Sequence, residues 1–88
     1  MRIDWKRAEH GAGWRADVGN NVTLFAAPCA LNRRGDKAAR GSTWRAGASH
    51  WDENTRTMSR FGRDSYMELC ADSKEAMRLA ECIWNEAR

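Results

Sequence analysis

The stretch "WRADVGNNVTLFAAP", Trp14 to Pro28, decides the fold. It holds two short runs that alternate apolar and polar residues, the period of a half-buried strand. In the first, Trp14, Ala16 and Val18 share one face, and Arg15 and Asp17 take the other. Between the runs stands "GNN" (19–21), three residues that tolerate positive φ, which predicts a tight hairpin. "VTLFAAPCA" follows as the next strand. Pro28 donates no ladder hydrogen bond, so this strand is expected to end near it or to lie at a sheet edge.

The pattern extends in both directions. Upstream, "RIDWKRAEH" alternates with Ile3 and Trp5 on one side and Asp4 and Lys6 on the other, and "GAG" (11–13) marks a turn. Downstream, "TWRAGASHW" reads as a fourth strand with Trp44, Ala46 and Ala48 on one face. "DENT" (52–55) is a turn. "RTMSRFG" is a fifth strand, with Arg56, Met58 and Arg60 on one face and Thr57, Ser59 and Phe61 on the other. The run 64–71, "DSYMELCA", fits a strand or a helix, and a short sixth strand is preferred.

The last segment has the 3.6-residue period. Ala76, Met77, Ala80, Ile83, Trp84 and Ala87 form an apolar stripe, and Lys74, Glu75, Arg78, Glu81 and Glu86 take the polar side. Asp72 and Glu75 make the D-x-x-E pattern of a capping box. A single α+β domain over 1–88 is expected. It is an antiparallel meander of five to six short strands within about 2–70, with one amphipathic helix at about 73–87 covering one face. Trp5, Trp14, Trp44 and Trp84 are the expected core, each ring burying on the order of 150–250 Å². Trp51 is an odd number of residues from Trp44 and should face away from it.

Composition narrows the class. No apolar run approaches the roughly 18 residues needed to span a bilayer. The opening "MRIDWKRAEH" lacks the apolar stretch of a signal peptide. Cys29, Cys70 and Cys82 are odd in number and widely spaced, unlike a disulfide framework. A cytoplasmic protein with no membrane partner is therefore expected.

Motifs for phosphate cradling, dinucleotide binding or a serine nucleophile are absent from the sequence. With His10 and His50 as the sole histidines, neither C-x-x-C nor H-x-x-x-H occurs. The reading is a protein that is not an enzyme, with no cofactor, no metal and no small-molecule substrate.

Charge is unevenly placed. Residues 33–63 carry eight cations against three anions, a net of +5, whereas residues 64–88 carry three cations against six anions, a net of −3. Such asymmetry steers association with charged partners. Arg33, Arg34, Lys37 and Arg40 lie in one loop, Arg56 and Arg60 on one strand face, and Arg63 just beyond. Arginine forks match carboxylates and phosphates. An outward Trp51 beside them offers an anchor or a stacking surface. These eight residues are the expected partner-binding set. Their partner is a protein or ribonucleoprotein with an acidic surface, or RNA or DNA.

The tryptophan-bearing meander and the helix opening "S-x-E-A-x-x-x-A-E" (Ser73, Glu75, Ala76, Ala80, Glu81) resemble a loose group of short phage and prophage proteins. That group includes nucleic-acid binders and anti-defence inhibitors such as anti-CRISPR proteins. The resemblance spans most of the chain. It implies a small, cofactor-free inhibitor that occupies a surface of a host defence protein or ribonucleoprotein. Many such inhibitors are acidic mimics of DNA. The basic middle segment here points to an acidic protein patch, or to RNA or DNA.

Overall fold

Glycine and asparagine shape the first tight hairpin. In the computed structural model, which describes residues 3–8, 13–29, 43–62 and 69–88, Gly19, Asn20 and Asn21 take φ values of 88°, 55° and 61°. Val18 N–H donates to Val22 O at 3.1 Å, and Val22 N–H donates to Gly19 O at 3.0 Å. The turn joins β2 (Trp14–Asp17) to β3 (Val22–Pro28). With β1 (Lys6–Arg7), β4 (Trp44–Asp52) and β5 (Thr57–Arg60), they form one antiparallel sheet in the order β1-β2-β3-β4-β5. The meander is as expected from sequence, with five strands.

Pro28 ends the central strand without costing a ladder bond. It pairs with Trp44, whose own N–H and C=O both bond Cys70 on the far side. The Pro28 nitrogen therefore faces the β2 side, beyond Ala26, which pairs with Trp14 at the start of β2. Gly13 guards that end. Its φ is 115°, and a Cβ there would lie 2.4 Å from Ala26 O.

The expected sixth strand is reduced, among the described residues, to one bridge between Cys70 and Trp44, with both backbone hydrogen bonds at 2.8 Å. Residues 63–68 lie outside the described residues. The first strand is also shorter than its alternation implied. Trp5 Nε1 donates to Glu81 Oε1 at 3.1 Å, which ties the segment before β1 to the helix. Continued pairing would also have set Asp4 directly opposite Asp17, two like charges across a ladder.

The helix α1 (Ser73–Ala87) starts at the N-cap Asp72 in a variant of the capping box. Asp72 Oδ1 accepts from Glu75 N–H at 2.8 Å. Glu75 Oε2 accepts from Ala71 N–H at 3.1 Å, one residue before the cap. Arg88 N–H closes the other end on Trp84 O at 3.1 Å. Ala76, Ala80, Ile83 and Trp84 are buried, with Met77 and Leu79 packed beside them. Ala87, expected on the apolar stripe, is exposed.

The core between sheet and helix is built from small side chains. Ala16, Ala26, Ala46 and Ala48 meet Ala76 and Ala80, with Val22 and Leu24 among them. Leu24 and Ile83 are the largest side chains with no exposure. Short side chains on both surfaces let the helix sit close to the sheet and leave no room for stacked indoles. Trp84 is buried, but Trp5, Trp14 and Trp44 are only half-buried, ringing the core. The four tryptophans do face the helix side, as their periodicity predicts, but they are not its centre.

Candidate functional site

Among the described residues, one helix covers one side of the sheet, and the residues alternating with the core project from the other. The register sets them in rows. Lys6 pairs with Arg15, Arg15 with Phe25, and Phe25 with Gly47. In the next row Asp17, Thr23, Ser49 and Arg60 stand side by side. Beyond them Trp51 pairs with Met58. Toward the opposite end, Ala27 pairs with Arg45.

Each apolar residue on this face is held for a reason. Phe25 lies across from Gly47, and Gly47 is buried although it sits on the helix-free side. The missing side chain leaves space for the ring to cover the backbone. The Arg45 guanidinium stands 5.7 Å from the Phe25 ring centroid, a cation–π distance. Trp51 and Met58 are 38% and 57% exposed, the two large exposed hydrophobics among the described residues. Their direct cross-strand pairing makes them one patch.

A well-fixed turn holds that patch. Asp52 Oδ1 accepts from Asn54 N–H at 2.9 Å and from Thr55 N–H at 3.4 Å. The hydroxyls of Thr55 and Thr57 lie 2.6 Å apart. Arg56 closes the turn at a left-handed φ of 54°.

That geometry sorts the residues expected from sequence. Trp51 and Arg60 come together on the helix-free face, as predicted. Arg56 does not join their row, because it belongs to the turn and β5 starts at Thr57. Arg33, Arg34, Lys37, Arg40 and Arg63 lie outside the described residues. The stem of the 30–42 segment is described: Cys29 N–H donates to Thr43 O at 2.9 Å, and Thr43 Oγ1 donates to Cys29 O at 3.1 Å. This stem adjoins Trp44, seven residues and therefore about 23 Å of strand from Trp51. The anchor point of the basic loop and the tryptophan thus stand at opposite ends of β4.

Phe25, Met58, Arg15, Arg45 and Lys6 share the face, although they were not in the expected set. Strand parity in the sequence already placed Arg15 and Met58 opposite core positions, but which strands neighbour one another emerges only from the register.

Among the described residues, no group of three or more His, Cys, Asp or Glu could hold a metal ion, and no helix is long and apolar enough to cross a membrane. Cys29, Cys70 and Cys82 are all free thiols, half-buried, buried and exposed in turn. Comparison with protein-family models, curated proteins and solved structures returns no match.

Proposed function

We propose that this protein is a small, non-enzymatic inhibitor of the phage type, anti-CRISPR-like. In this reading it acts in the host cytoplasm by docking the helix-free face of its sheet on an acidic surface of a host defence protein or ribonucleoprotein. The observation that carries this reading is the Trp51–Met58 pair, exposed together beside Arg60. Tryptophan, methionine and arginine are the residue types enriched at protein interfaces, and a few such anchors supply most of the binding energy. Lys6, Arg15 and Arg45 extend the same face with positive charge, which fits an acidic partner. The free thiols suit a reducing compartment.

A second reading, a small RNA- or DNA-binding domain, is favoured by the cations Lys6, Arg15, Arg45 and Arg60 spread over the face and by the +5 segment of residues 33–63. Against it, one side of the Phe25 ring is already taken by Arg45, which limits the platform for base stacking. Oligonucleotide titration at two salt concentrations separates the two. Phosphate contacts by Lys6, Arg15, Arg45 and Arg60 would give a slope of log K against log salt of roughly −0.9 each on duplex. A protein partner leaves only weak, sequence-blind oligonucleotide binding, together with a complex that survives nuclease.

A further inference from the structure

We infer that Met58 is a modification site for a peroxide-class oxidant, and that its oxidation switches the Trp51–Met58 patch from apolar to polar. The consequence for a partner rests on the reading of that patch as the docking anchor; the oxidation and the change of surface do not.

The placement of Met58 makes it the vulnerable thioether. It is 57% exposed, the more exposed of the two large hydrophobics that the described residues leave open. It lies on β5, the last strand in the sheet order, so its row has a cross-strand neighbour on one side, Trp51. Met77 is the contrast, half-buried on the helix and packed against the core. Susceptibility follows exposure of the sulfur, so one oxidant reaches Met58 before Met77. Met1 and Met67 lie outside the described residues.

The chemistry needs no group from the protein beyond the thioether. With hydrogen peroxide, an electron pair on the Met58 sulfur attacks one peroxide oxygen, an S–O bond forms and the O–O bond breaks. The sulfur is oxidised to the sulfoxide, and the other oxygen is reduced and leaves as water with both protons. A flexible apolar side chain becomes polar and chiral. Its new oxygen is an acceptor that an apolar partner surface cannot satisfy, so docking over it carries a desolvation cost. The fold is spared, because Met58 is no part of the core cluster.

Graded hydrogen peroxide treatment of the full chain tests this. Dithiothreitol then returns reversibly oxidised thiols, the exposed Cys82 among them, and leaves the sulfoxide. Peptide mass spectrometry should find Met58 oxidised severalfold faster than Met77. The treated chain should leave a hydrophobic-interaction column earlier than the untreated chain, with an unchanged melting temperature, and methionine sulfoxide reductases should restore its retention. Met58→Leu keeps an apolar side chain without a thioether, so its retention should be the same before and after treatment, which separates Met58 from the other methionines. Oxidation of Met77 as fast as Met58, retention that treatment leaves unchanged, or an equal loss of retention in Met58→Leu would overturn the inference. Capture from host lysate adds the partner arm: the oxidised parent should lose what the untreated parent retains. With the column shift present, capture that survives oxidation, or an untreated parent that captures nothing, would uphold the oxidation site and overturn the docking role of the patch.

Discussion

The two faces of the sheet are built from different alphabets. The helix side carries Ala16, Ala26, Ala46 and Ala48 around Leu24, all buried. The other side carries Phe25, Trp51 and Met58 among Lys6, Arg15, Arg45 and Arg60. A domain this short gains little from each buried alanine, yet it spends exposed area on a tryptophan and a methionine. Close packing explains the first face, since small residues opposite small residues shorten the distance between sheet and helix. Packing does not explain the second. Large exposed apolar side chains set among arginines, on the side that no helix covers among the described residues, point to a surface kept for binding.

The sharpest way to break this comparison is to cut into the helix side. Leu24→Ala should cost roughly 2–5 kcal/mol, because Leu24 has no exposure and the cavity cannot collapse onto a β-sheet. Thermal or urea melts would read the loss, and a near-native melt would mean the core lies elsewhere. Overpacking is the converse experiment. Ala80→Leu should cost about 1–3 kcal/mol by pushing the helix off Ala46 and Ala48. If the variant is as stable as the parent, the close approach of helix and sheet is not what holds them.

Phe25 lies between the extremes and sharpens the boundary. It sits on the open face but is half-buried over Gly47, so Phe25→Ala should cost about 1 kcal/mol, in the range of cross-strand aromatic pairs. Trp51→Ala should change stability least, by no more than about 0.5 kcal/mol. The same variant should weaken partner binding by about 2 kcal/mol or more, as loss of an anchor does. Large loss of stability with intact binding would reverse the roles assigned to the two faces.

Much of this architecture is legible from local pattern. Gly19, Asn20 and Asn21 announce their hairpin, and all three take positive φ. The D-x-x-E of Asp72 and Glu75 announces the helix start. Parity alone puts Trp51 opposite Trp44. What local pattern misses is decided by contacts far apart in sequence. Trp5 is tied to Glu81, 76 residues away in sequence, and the first strand is two residues long. Arg56 leaves its row because the Asp52 turn needs a left-handed residue before β5. Trp5, Trp14 and Trp44 sit around the core, and Trp84 alone of the four is buried in it, because the alanines of the helix and of the sheet meet first. The candidate site was half legible for the same reason. Trp51 and Arg60 follow from alternation, whereas their neighbours Met58, Phe25 and Arg45 become one surface only through the pairing of β3, β4 and β5.

The central claim, that the helix-free face is the binding face, is tested most directly by capture from nuclease-treated host lysate with three immobilised proteins. These are the parent, a Trp51→Ala/Arg60→Ala variant, and a Lys74→Ala/Arg78→Ala variant altered on the exposed side of the helix, with folding of each checked by circular dichroism. One protein or ribonucleoprotein should be retained by the parent and by the helix variant and lost from the sheet variant. Loss from the helix variant alone, equal retention by all three, or recovery of nothing but nucleic acid when nuclease is omitted would contradict the account.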